Sequence, residues 1–136
     1  MICYLDKLDS PIGLIDLAAI DEGLVYCGSH RIKGPNMETW LNKYLPEFEL
    51  KKEENHIIKM AKHQLREYFA GKSEILDVPL YLVGTDFRKK VWKALRTIPY
   101  GQTRTYGQIA KQIGNPKGPR AVGQANHNNP ISYFVP

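Results

Sequence analysis

Apolar and polar positions change their period along this chain. Residues 2–28 read as β. A first apolar run, 2–8, enters the turn Asp9-Ser10-Pro11; a second, Gly13–Ile20, ends at Asp21-Glu22-Gly23; a third spans 24–28. Acid-plus-glycine punctuation between short apolar runs predicts a hairpin or meander. Residues 29–36 are polar, contain Gly34-Pro35 and predict a loop. Met37–Tyr44 predicts a short helix stopped by Pro46, and 53–70 a longer one. In the longer helix Ile57, Ala61, Leu65, Tyr68 and Phe69 repeat at helical spacing, and Gly71 stands where a C-terminal cap belongs. Residues 72–83 read as extended, touching the core through Val78-Pro79-Leu80. A domain boundary near Val83-Gly84 divides the chain into 1–83 and 84–136.

The second part is helical. Residues 85–98 predict a helix N-capped by Thr85, with Phe87, Val91, Leu95 and Ile98 on one stripe, widened by Trp92 and Ala94. Thr105-Tyr106-Gly107-Gln108 fits the T-x-x-Q capping box and opens a helix to Ile113. Tyr106, Ile109, Ala110 and Ile113 share a face of it. Gly114-Asn115-Pro116 ends that helix, and Pro119 suits the first position of another, whose apolar residues are Ala121, Val122 and Ala125. Two short helices rich in small residues around a Gly-containing turn match a helix-turn-helix. The apolar run 131–136 reads as a segment that enters a core.

Composition changes the picture in one respect. Apolar content of 43% argues against disorder, and no run approaches the roughly 20 apolar residues of a membrane span. Asp6, Lys7 and Asp9 interrupt any signal-peptide core, so a cytosolic location is expected. The net charge of +5 is unevenly spread. Nine bases against Asp86 alone give +8 over 84–136; ten bases and thirteen acids give −3 over 1–83. A basic half carrying a helix-turn-helix points to a polyanion, and its second helix, free of acids, suits phosphates and base edges. Cys3, Cys27 and His30 have no zinc-like spacing; two half-buried strand cysteines are the expected reading, with no metal.

Laid end to end, several segments resemble the O6-alkylguanine-DNA alkyltransferases, or methylated-DNA–protein-cysteine methyltransferases. They are Gly84-Thr85-Asp86-Phe87, Val91-Trp92, Arg96-Thr97-Ile98-Pro99-Tyr100-Gly101, Thr105-Tyr106-Gly107-Gln108-Ile109-Ala110, Gly114-Asn115-Pro116-Lys117, Arg120-Ala121-Val122-Gly123 and Asn129-Pro130-Ile131-Ser132. Ser10-Pro11-Ile12-Gly13 and Asp21-Glu22-Gly23-Leu24 match more loosely. The resemblance implies an N-terminal ribonuclease-H-like α/β domain followed by a winged-helix-like helix-turn-helix domain. It implies irreversible transfer of an alkyl group from O6 of guanine, more weakly O4 of thymine, to a protein cysteine, without a cofactor. The partner is double-stranded DNA carrying alkylated bases, and a monomer is implied for the full-length protein. O6 lies inside the base stack, so the nucleotide is flipped out, and an alkyl carbon needs a soft, activated thiolate.

By the same resemblance Tyr106 rotates the nucleotide by crowding its 3′ phosphate, and Arg120 fills the vacated space. Gly123 gives the helix close approach to the minor groove, and Ala121, Gln124 and Asn126 complete the DNA-binding surface. Asn129 is a hinge, and Ser132 and Tyr133 line the alkyl pocket. Each has a plainer alternative: a core tyrosine at Tyr106, an ordinary phosphate contact at Arg120, a turn residue at Asn129. The family continues Pro-Cys-His-Arg where this chain reaches Pro136, so the acceptor cysteine is expected immediately after it. The second domain is thus expected to be incomplete and the 136 residues inactive, with Phe134 and Val135 short of packing partners. The alternatives are a lesion-sensing or plain DNA-binding module without catalysis, or a helix-turn-helix transcription regulator.

Overall fold

The computed structural model describes residues 1–29 and 36–136. His30, and most of the loop expected over 29–36, lie outside the described residues. The chain forms two compact units: Met1–Leu82 with Pro130–Phe134, and Val83–Asn129 with Val135–Pro136.

The first unit is built on a sheet of order β3-β2-β1-β4. Strands β1 (Ile2–Ser10), β2 (Gly13–Ile20) and β3 (Gly23–Ser29) form the antiparallel meander that the acid-and-glycine turns predict. A register shift at Ala18/Ala19 marks a bulge in the β2–β3 pair. The short β4 (Glu49–Lys51) pairs parallel to β1 and is absent from the sequence reading, because its residues are all exposed and alternate nothing. Helix α1 (Met37–Tyr44) is N-capped by Asn36, whose side chain accepts from the backbone N–H of Glu38 and Thr39, and buries Trp40 and Leu41. Helix α2 (His56–Phe69) packs on β1, β2 and β3 through Ile57, Ile58, Ala61 and Leu65. It starts three residues later than the apolar pattern suggests because Asn55, not Glu53, supplies the cap, accepting from Ile58 N–H at 2.9 Å. Gly71 adopts the left-handed φ of +70° expected after the helix. Val78 is buried and Leu80 bridges to Leu24 of β3, so the extended segment does reach the core.

The tail corrects the expectation for its packing. Phe134 and Val135 are both buried, at 2% and 1% exposure. Ile131 bridges in parallel to Cys27, whose N–H donates to Pro130 O and whose carbonyl accepts from Ser132 N–H, both at 2.9 Å. Backbone pairing with the β3 edge thus draws 130–134, read above with the second domain, into the first unit.

The second unit contains α3 (Asp86–Leu95), α4 (Tyr106–Gln112) and α5 (Pro119–His127). Thr85 caps α3 as expected, but the helix ends at Leu95 and 96–98 form turns.

Candidate nucleic-acid interface

The turn between α4 and α5 is written locally. Thr105 Oγ1 accepts from Gln108 N–H at 3.1 Å while Gln108 Oε1 accepts from Thr105 N–H at 2.8 Å, the reciprocal box that satisfies two otherwise orphaned donors. Gly114, at φ +81°, reverses the chain where a side chain would be strained, and Asn115 N–H closes back on Ala110 O. Pro119 then starts α5, where its missing N–H costs nothing. Ile109, Ala110, Val122 and Ala125 are buried against α3, whose Val91, Trp92 and Leu95 are buried with them. Trp92 Nε1 donates to Ala125 O at 2.8 Å, a buried bond that fixes α5 on α3.

This packing leaves one face of the helix pair open. Tyr106, Pro119, Arg120, Gly123, Gln124 and His127 line a groove of about 630 Å³. Arg120, Gln124 and His127 stand at i, i+4 and i+7 and so share a stripe of α5. Neither α4 nor α5 contains an acid. Tyr106 is 48% exposed, so the core-tyrosine alternative does not hold. Its ring lies over Gly123: a Cβ there would stand 3.2 Å from Tyr106 Cε2 and 3.3 Å from Cδ2. Asn126 Nδ2 donates to the Tyr106 hydroxyl over a long 3.4 Å. Arg120, Ala121 and Gln124 are exposed.

Asn129, Ser132 and Tyr133 are not among the residues lining this groove. Asn129 Nδ2 donates to Val135 O at 2.8 Å, so it ties the end of α5 to the tail. Ser132 and Tyr133 belong to the first unit. Tyr133 holds a φ of +72°, a conformation costly for a bulky residue, and its ring meets Phe69 edge-on at 5.4 Å. Burial, then the neighbouring Cys27 and Tyr68, raise the Tyr133 phenol above its ordinary value.

Two features escaped the sequence reading. His127 lines the groove, and its spacing of seven from Arg120 was the available signal. Arg104 donates to Thr97 Oγ1 (2.8 Å) and Gln112 Oε1 (2.9 Å), tying the loop before α4 to the turn after α3 and to the end of α4; no sequence pattern announces a three-residue network. Both thiols are buried and free. Burial pushes Cys3 up to about 11, and burial followed by the nearby Asp16 carboxylate pushes Cys27 higher. Neither supplies a thiolate near neutral pH. Among the described residues no group of three His, Cys, Asp or Glu side chains is placed to hold a metal, and no helix is long and apolar enough to cross a membrane.

Comparison with known proteins covers both units. Residues 3–82 match the 6-O-methylguanine DNA methyltransferase ribonuclease-like domain, and residues 86–136 match the 6-O-methylguanine DNA methyltransferase DNA binding domain. A methylated-DNA–protein-cysteine methyltransferase of Methanosarcina acetivorans is 46% identical over 98% of this chain and 80% of its own length. The crystal structure of Mycobacterium tuberculosis O6-methylguanine methyltransferase superposes with a TM-score of 0.80 at 40% identity, over 99% of this chain and 76% of that one. The Mycobacterium tuberculosis OGT in complex with DNA gives 0.79 at 41% identity, over 98% and 74%. With the capped α4 packed on α5, the acid-free groove and both domain matches in the family's order, the chain belongs to the 6-O-methylguanine DNA methyltransferase family.

Proposed function

We propose that this protein repairs DNA by direct, stoichiometric transfer of an alkyl group from O6-alkylguanine, and more weakly O4-alkylthymine, to a protein cysteine. The observation that carries the reading is the exposed Tyr106 and Arg120 bordering one groove on a helix pair without acids. Residues 84–136 serve as the DNA-handling domain, with 1–83 as its α/β companion. In this reading α5 enters the minor groove, Tyr106 crowds the phosphate 3′ to the lesion, and Arg120 occupies the space the flipped base leaves. Ala121, Gly123, Gln124 and Asn126 complete the contact, Asn129 is a hinge, and Ser132 and Tyr133 serve the alkyl pocket. A thiolate sulfur then bonds to the alkyl carbon as the carbon–O6 bond breaks. Its electrons pass to the base, which takes up a proton and is restored as guanine. Cys3 and Cys27, buried and held protonated, are not that sulfur. A monomer acting in the cytosol without a cofactor belongs to the same reading.

The test is duplex binding with and without O6-methylguanine. Arg120→Ala is expected to weaken lesion binding about tenfold, near 1.4 kcal/mol, and undamaged-duplex binding less. Equal lesion affinity in the variant overturns the Arg120 role. Peptide mass spectrometry after exposure to methylated DNA should find both Cys3 and Cys27 unmodified; a methyl on either overturns the exclusion.

A further inference from the structure

We propose that Gly123 is a positioning residue for Tyr106: its missing side chain is the seat in which the tyrosine ring is parked before DNA arrives. The inference rests on the function proposed above for Tyr106. Three observations converge on it. Tyr106 is the first residue of α4, held behind a complete capping box, so its backbone is fixed. Tyr106 is 48% exposed, yet its ring sits so close over α5 that a Cβ on Gly123 would meet two ring carbons at 3.2 and 3.3 Å. Asn126, three residues further along α5, donates to the hydroxyl over 3.4 Å.

An exposed tyrosine with nothing against its ring samples several rotamers, and ordering it when the ligand binds subtracts from affinity. A ring already parked loses less. The seat also explains a local conflict. Glycine in a helix interior is less stable than alanine, and α5 carries Gly123 in its middle turn. A side chain at that position would restore helix propensity and push Tyr106 outward. Because Tyr106 is half exposed, its ring can yield by a few tenths of an ångström without disturbing the buried contacts of Val122 and Ala125.

Gly123→Ala therefore separates stability from function. The variant should melt at the same temperature as the parent or higher. A duplex carrying O6-methylguanine beside 2-aminopurine, whose fluorescence rises as its neighbour leaves the stack, should show a signal lowered about fivefold, the size expected for a sub-ångström misplacement. The same substitution in a Tyr106→Ala background should cause a clearly smaller loss, what remains being the close approach of α5 to the minor groove at Gly123. Equal fluorescence for parent and Gly123→Ala overturns the proposal. An equal further loss in the Tyr106→Ala background also overturns it, because the whole effect of Gly123 would then be independent of Tyr106. If the parent neither binds the duplex nor raises the fluorescence, the proposed function itself falls, a result distinct from the other two.

Discussion

At the scale of single residues, charge pairs are the sharpest device in the first unit. Lys62 is almost fully buried and its ammonium donates to both Asp6 and Glu54, the latter at 2.7 Å. Burial acts to raise the Asp6 carboxyl, but the hydrogen bond from Lys62 and the backbone N–H of Lys7 outweigh it and hold Asp6 below its ordinary value. Burial acts to lower Lys62, and the bonds to Asp6 and Glu54 outweigh that and raise it. A depressed carboxyl contributes stability above its unfolded value of 3.8, lost as pH falls through the folded value. A raised ammonium contributes below 10.5, lost as pH rises through its folded value. Lys62→Met should therefore cost about 1–2 kcal/mol between those limits, less than a fully buried pair because both carboxylates are 36% exposed. Urea melts at several pH values check this; a penalty that persists undiminished in strong acid contradicts it.

At the scale of elements, the helix-turn-helix depends on contacts remote in sequence. The capping box, Gly114 and Pro119 shape α4 and α5 locally, but Trp92 on α3 holds α5 in place through Ala125 O, 33 residues away. Trp92→Phe leaves that buried carbonyl without its donor and opens a small void. The expected loss is about 2–3 kcal/mol in a denaturant melt. A loss under about 0.5 kcal/mol, the level of an ordinary surface substitution, shows that the bond does not anchor α5.

At the scale of the whole molecule, the uneven charge carries a prediction for how the protein meets DNA. Residues 84–136 carry +8 and residues 1–83 carry −3. Binding to undamaged duplex should weaken steeply with salt. With about four phosphates neutralised, the logarithm of affinity falls with a slope near −3.6 against the logarithm of salt concentration. A flat dependence shows that the basic surface is not what meets the backbone.

Caps and turns were legible in the sequence because their chemistry is local. Thr85, Thr105 with Gln108, Gly71, Gly114 and Pro119 act on donors and dihedrals within four residues of themselves. The meander was legible because each strand alternates or runs apolar between glycine turns. The order of motifs along 84–136 likewise pointed to the family before any packing was known. What escaped needed partners distant along the chain. Strand β4 has no apolar signal of its own and exists only because β1 offers an edge. The burial of Phe134 and Val135 goes with the tail's attachment to β3 at Cys27. Tyr106 looked as suited to a core as to a surface by spacing alone. Only the packing of α4 on α5 decided that its ring lies in the open over a glycine 17 residues on, because exposure is a property of neighbours and a sequence does not contain distances.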